Sequence, residues 1–69
     1  MVYNNNMNMG IREKFLKIYA NLPLGVRGEI IAVLEDGKPI TWDVAFFEVD
    51  NNTKQSEIIL KKLQKLELI

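Results

Sequence analysis

The sequence contains no cysteine and no histidine among its 69 residues. The absence of cysteine excludes a disulfide framework and a thiolate metal site. The absence of histidine removes the commonest general base, which is also the usual activator of a serine nucleophile. Since the only serine is Ser56, these absences predict a chain that is not an enzyme and that holds no cofactor.

Long apolar runs are lacking as well. No stretch approaches the roughly 20 apolar residues that a membrane-spanning helix requires. The N-terminus also lacks the basic start and apolar stretch of a secretory signal. These features predict no membrane partner and, together with the missing cysteines, a cytoplasmic location.

Neither sign of charge is in excess, because nine basic residues balance nine acidic ones. The distribution is uneven, however, with six acidic residues and one basic residue in residues 29–52 and four basic and two acidic residues in residues 53–69. The acidic segment matches no calcium-loop spacing and predicts a solvated acidic surface. The basic segment points to an anionic partner such as nucleic acid.

The residues that are present are typical of a small globular domain, with 48% hydrophobic and 26% charged side chains. A chain of this length has room for one modest core, so a dimer or another partner is expected to add stability. Asparagine and methionine without periodicity predict a flexible tail over residues 1–9. A single globular domain is predicted over residues 10–69.

Apolar spacing predicts an amphipathic helix at each end of this domain. The first helix is predicted at about Met9–Asn21, because Pro23 disfavours helical geometry just beyond it. The second is predicted over Lys54–Leu66, with Thr53 as its cap. The apolar stripes consist of Ile11, Phe15, Ile18, Tyr19 and Leu22 in the first helix and of Ile59, Leu60, Leu63 and Leu66 in the second.

The segment between these helices contains one strand and one stretch that supports two interpretations. The β-rich run Glu29–Glu35 predicts a strand. Residues Ile40–Val49 alternate in polarity, which predicts the second strand of a hairpin with a two-residue turn at Asp36–Gly37. The same residues also have helical apolar spacing, with Thr41 as a cap and Asn51–Asn52 as a stop, and this interpretation is favoured.

With the helix, the fold is α+β with the order α-β-α-α; the alternative is αββα with a two-stranded hairpin. In the first case, a helix, a short turn at residues 50–52 and the last helix have the spacing of a helix-turn-helix unit.

The last helix resembles the recognition helix of winged-helix transcription regulators. Ile59, Leu60 and Leu63 take its apolar positions, and Leu68–Ile69 takes the start of the wing strand. Glu67 stands where these helices usually end in glycine, and the wing itself is truncated. The resemblance implies a winged-helix-like domain that binds double-stranded DNA.

That resemblance implies a nucleic-acid site on the last helix, which would lie in a major groove. Side chains near its N-terminus are expected to face bases, and lysines further along are expected to lie near phosphates. The first group is Lys54, Gln55 and Ser56, and the second group is Lys61, Lys62 and Lys65.

The other functional hypothesis is a protein-interaction module or homodimer with no nucleic-acid role. Trp42, Phe47 and Ile58 exceed what one apolar stripe per helix needs. Large apolar side chains that stay exposed on so small a domain mark interfaces. These three residues are therefore the predicted interface.

Overall fold

A computed structural model describes residues 7–69 of the chain and the side chains from Gly10 onward. Its elements in chain order are helix α1 (Met7–Ala20), a one-turn 3-10 helix (Leu24–Val26), strands β1 (Ile30–Val33) and β2 (Pro39–Thr41), and helices α2 (Trp42–Asp50) and α3 (Lys54–Lys65). The two strands form one antiparallel hairpin. The chain is therefore a small compact α+β domain in which a helix, a hairpin and two helices follow one another.

Both terminal helices are confirmed, and their ends lie within two residues of the predicted ones. Helix α1 begins at Met7 rather than at Met9. Residues 1–6, which make up most of the predicted tail, lie outside the described residues, so the tail stays a prediction.

The structure combines the two interpretations of Ile40–Val49. The helix is confirmed as α2, and the preceding residues pair with β1 as β2, so the observed order is α-β-β-α-α. The predicted α-β-α-α order lacks β2, and the αββα alternative lacks α2. Thr41 belongs to both elements. It pairs with Ile30 as the last residue of β2, and its hydroxyl oxygen caps α2 by accepting a hydrogen bond from the Val44 amide at 3.0 Å.

The hairpin loop has three residues, Glu35, Asp36 and Gly37, and is one residue longer than the predicted two-residue turn at Asp36–Gly37. The Gly37 amide donates to the Leu34 carbonyl at 2.8 Å, and the Leu34 amide donates to the Lys38 carbonyl at 2.9 Å. Gly37 has φ of +88°, which glycine adopts without steric cost. The Asp36 carboxylate accepts from the Lys38 amide at 3.0 Å, so aspartate and glycine each have a distinct role in the turn.

The core lies where α1 meets the hairpin and the two later helices. Phe15 of α1 is fully buried, and its ring stacks on Trp42 of α2 at a centroid distance of 6.0 Å. The remaining buried apolar side chains are Ala32, Leu34, Ile40, Ala45, Val49, Ile59 and Leu63. Each element other than the 3-10 turn thus contributes to one core.

Helices α2 and α3 are joined by a tight turn at residues 51–53. Asn52 has φ of +52°, which confirms the predicted left-handed stop. The Thr53 hydroxyl oxygen accepts from the Ser56 amide at 3.2 Å and thereby caps α3. The short connections at Thr41 and at residues 51–53 therefore fix the directions in which α2 and α3 leave the preceding elements.

Tyr19, near the end of α1, links that helix to α2. Its hydroxyl donates to the Asp43 carboxylate at 2.6 Å, and its ring stacks on Phe46 at 4.3 Å. The Arg27 guanidinium lies 4.4 Å from the ring centroid, a cation–π geometry. The hydrogen bond to Asp43, together with partial burial and the negative charge of Asp43, raises the pKa of Tyr19 above 10.0.

This pKa predicts a loss of stability at high pH. The neutral phenol donates the hydrogen bond, so its contribution is complete below the ordinary pKa of tyrosine and disappears as the pH rises through the raised pKa. Urea unfolding across the alkaline range should show that the wild type has the larger free energy of unfolding at neutral pH. Its difference from Tyr19→Phe should become smaller above about pH 10. Two parallel stability curves would contradict this prediction.

Helix α3 ends in a Schellman motif whose left-handed residue is a glutamate. The Leu68 amide donates to the Leu63 carbonyl at 2.9 Å, and the Glu67 amide donates to the Gln64 carbonyl at 2.9 Å. Glu67 has φ of +62°, a conformation that costs a side-chain-bearing residue about 1–2 kcal/mol. Glu67 thus has the backbone geometry of the glycine that usually ends such helices.

Replacing Glu67 with glycine should therefore stabilise the domain by about 1 kcal/mol, measured by urea unfolding. Glu67→Ala removes the same charge but keeps the left-handed strain, so it should give little of this gain. Glu13→Gly, in the middle of α1, should instead cost about 1 kcal/mol. Equal effects of glycine and alanine at position 67 would show that the backbone strain is not the cause.

Candidate nucleic-acid interface

The two faces of α3 differ sharply. Ser56, Ile59 and Leu63 are buried against the rest of the domain. The opposite face exposes Lys54, Ile58, Lys61 and Lys65. A period of 3.6 residues accounts for this division, because residues three or four apart lie on the same side of a helix. We call the exposed set Lys54–Ile58–Lys61–Lys65 the lysine stripe.

A groove of about 470 Å³ runs between α3 and the hairpin turn. Most of the predicted nucleic-acid residues line it, together with residues of the turn. From α3 these are Gln55, Ile58, Lys61, Lys62 and Lys65, and from the hairpin they are Leu34, Glu35 and Asp36. One wall is therefore basic and the other acidic, so an anionic ligand is attracted to α3 and repelled by the hairpin turn.

The acidic wall was not recognisable as part of this site in the sequence. Asp36 was predicted as a turn residue and lies about 20 positions before α3. Its position beside the lysines follows from the packing of the hairpin, and no local spacing signals it.

Ser56 does not lie with the other predicted base contacts. It is only 6% exposed, and its hydroxyl donates to the Thr53 carbonyl at 2.6 Å. Its hydroxyl is therefore bonded within the domain, and the side chain does not line the groove with Gln55 and the lysines. Its position three residues before Ile59 and seven before Leu63 is the sequence signal that places it on the buried side.

Trp42 also differs from its predicted role as an interface residue. It is 8% exposed and packs on Phe15 inside the core. The other two predicted interface residues are on the surface, since Phe47 is 63% exposed and Ile58 is 52% exposed. Phe47 lies on α2 and Ile58 within the lysine stripe of α3, so the interface hypothesis retains one residue on each helix.

A second depression, of about 330 Å³, lies on the other side of α3. Arg12 of α1 borders it together with Glu57 and Lys61. The Arg12 guanidinium donates through Nη2 to the Val49 carbonyl at 3.3 Å, at the C-terminal end of α2. Arg12 therefore ties α1 to α2, whereas Lys14 and Lys17 on the same helix remain exposed.

Within residues 7–69, no helix is long and apolar enough to cross a membrane. Over the same residues, no group of three or more acidic side chains is arranged to hold a metal ion.

Comparison with profiles of known families, with curated proteins and with solved structures gave no match.

Proposed function

We propose that this chain is a small, non-catalytic, winged-helix-like module that binds double-stranded DNA through α3. The observation that carries the proposal is the lysine stripe, a solvent-exposed row of three lysines on a helix whose other face is buried in the core. Lys62 and Gln55 extend this surface into the groove. Phosphate contacts by such lysines dominate the affinity of proteins for duplex DNA.

Two features of the fold support this proposal. Helices α2 and α3 follow one another across a short turn at residues 51–53, which is the order of a helix-turn-helix unit, in which the second helix enters the major groove. The hairpin lies beside α3, as a wing would, although it precedes α2 in the chain. The winged-helix-like description therefore refers to this spatial arrangement and not to the chain order of the regulators.

The acidic wall determines how a duplex would lie. Glu35 and Asp36 repel phosphates from the hairpin side of the groove. Lys54 and Lys61 are then the lysines best placed for phosphates, and Gln55 is the polar side chain available for base edges. Since the chain has no net charge, binding should be weak and strongly dependent on salt.

The test is fluorescence anisotropy of a labelled duplex of about 20 base pairs, titrated with the protein between about 50 and 200 mM salt. The double variant Lys54→Gln/Lys61→Gln should bind more weakly, and its plot of log K against log salt should be shallower by about 0.9 for each lysine that contacts a phosphate. Gln55→Ala should change the preference among sequences more than the salt slope.

Lys14→Gln/Lys17→Gln is the matched control, because it removes the same charge from an exposed face of α1. It should leave the salt slope close to that of the wild type. The proposal is wrong if no binding is measured at about 50 mM salt, or if the two double variants lose affinity equally. Equal losses would indicate a response to net charge and not to the surface of α3.

A further inference from the structure

Helix α2 has an exposed row of side chains outside the core and outside the proposed DNA surface. One of them, Asp43, also accepts the hydrogen bond from the Tyr19 hydroxyl. Asp43, Phe47 and Asp50 lie at successive spacings of four and three residues and are all exposed. Their buried counterparts, Trp42, Ala45 and Val49, lie on the other side of the helix. We call this row the aspartate stripe; at its centre is a phenylalanine that is 63% exposed.

The lysine stripe of α3 has the same spacing with the opposite charge. Lys54, Ile58 and Lys61 are also four and three residues apart, and Ile58 at their centre is 52% exposed. At 1.5 Å per residue, the charges at the two ends of each stripe are about 10 Å apart along the helix. An aspartate stripe laid on a lysine stripe therefore pairs both ends while the two apolar side chains meet.

Within one chain these stripes do not contact each other through their centres. Helices α2 and α3 pack through their buried sides, which carry Val49 and Ile59 among others. Pairing of like helices from two chains is unfavourable, because aspartates would face aspartates or lysines would face lysines. Only α2 of one copy on α3 of another brings opposite charges together and covers both Phe47 and Ile58.

We propose that the chain self-associates, with the aspartate stripe of one copy covering the lysine stripe of a second copy. Phe47 packs on Ile58 of the other copy, and Asp50 pairs with a lysine at one end of the stripe. A domain of 69 residues has a modest core, so covering these apolar side chains stabilises it. This proposal does not rest on DNA binding, but it uses the same lysines, so a duplex and a second copy compete for α3.

The test is the solution mass measured by analytical ultracentrifugation over a range of protein concentrations. The wild type should shift from monomer towards dimer or larger species as its concentration rises. Phe47→Ser and Asp50→Lys should each weaken the association by about tenfold or more, since one removes the apolar contact and the other places lysine against lysine. Glu13→Lys, an equal charge reversal on α1, should leave it unchanged.

A charge exchange makes the test specific. Lys54→Glu/Lys61→Glu should fail to associate alone, as should Asp50→Lys, because each then brings like charges together. When the two variants are mixed, the unaltered aspartate stripe of Lys54→Glu/Lys61→Glu can cover the unaltered lysine stripe of Asp50→Lys, so a one-to-one complex should form. Far-UV circular dichroism of each variant checks that the fold is retained, and anisotropy with Asp50→Lys measures DNA binding separately, since its α3 is intact.

The proposal is overturned if the wild type stays monomeric at every concentration or if the mixed variants do not associate. It is also overturned if Phe47→Ser associates as strongly as the wild type, since the contact would then lie elsewhere. Failure of DNA binding with successful association of the mixed variants would remove only the proposed function. Successful restoration of the complex by mixing would support the α2–α3 contact directly.

Discussion

Replacement of Phe15 with alanine is expected to destabilise the domain by about 3–5 kcal/mol. Phe15 is fully buried, and its ring stacks on both Trp42 and Tyr19. The substitution removes the transfer free energy of the ring and leaves a cavity at the meeting point of α1 and α2. Because small domains are only marginally stable, Phe15→Ala should be largely unfolded at room temperature.

The measurement is urea unfolding followed by circular dichroism, with Phe47→Ala as the control. Phe47→Ala makes the same chemical change at a side chain that is 63% exposed. It should therefore lower the free energy of unfolding by no more than about 0.5 kcal/mol. Dilute protein keeps any contribution from self-association small. Similar losses for the two variants would mean that α1 does not cover the core as described.

Two adjacent isoleucines of α3 provide the second large contrast. Ile59→Ala should cost about 2–5 kcal/mol, because Ile59 is 1% exposed and contributes to the core. Ile58→Ala removes the same atoms from a residue that is 52% exposed and should cost well under 1 kcal/mol. The pair tests the rotation of α3, on which both proposals depend.

The same unfolding experiment measures both variants. If α3 were rotated by one residue, Ile58 would face the core and the order of the two losses would be reversed. The lysine stripe would then be displaced by about 100° around the helix, and its lysines would no longer form one exposed row. A reversed order would therefore contradict the basis of the proposed DNA surface as well as the fold.

The parts of the fold that were predictable from sequence are those with a sustained period. Helices α1 and α3 repeat apolar residues over several turns, and Thr53 supplies a local capping signal that needs no tertiary contact. The hairpin and α2 were harder, since β2 has three residues and shares Thr41 with the start of the helix. Over so short a segment, the same apolar side chains fit both the two-residue period of a strand and the 3.6-residue period of a helix.

The candidate site was predictable only where it lies within one helix. Gln55 and the lysines lie on the surface of α3, whereas Ser56 is on the buried side, where its spacing from Ile59 indicated that it would be. Glu35 and Asp36 join the site through tertiary packing, which single-sequence periodicity does not contain. Trp42 was assigned to the interface because it was counted beyond one apolar stripe per helix, whereas its spacing from Ala45 and Val49 places it on the buried face of α2.

The direct junction of β2 and α2 restricts where the chain can tolerate inserted residues. Thr41 ends the strand and Trp42 begins the helix, so no linker separates them. One residue inserted there would turn Trp42, Ala45 and Val49 by about 100° relative to the hairpin and carry them off the core. At the exposed Asp36–Gly37 turn, by contrast, an inserted peptide would leave every helix in register, which makes this turn the place to attach a label or an affinity tag.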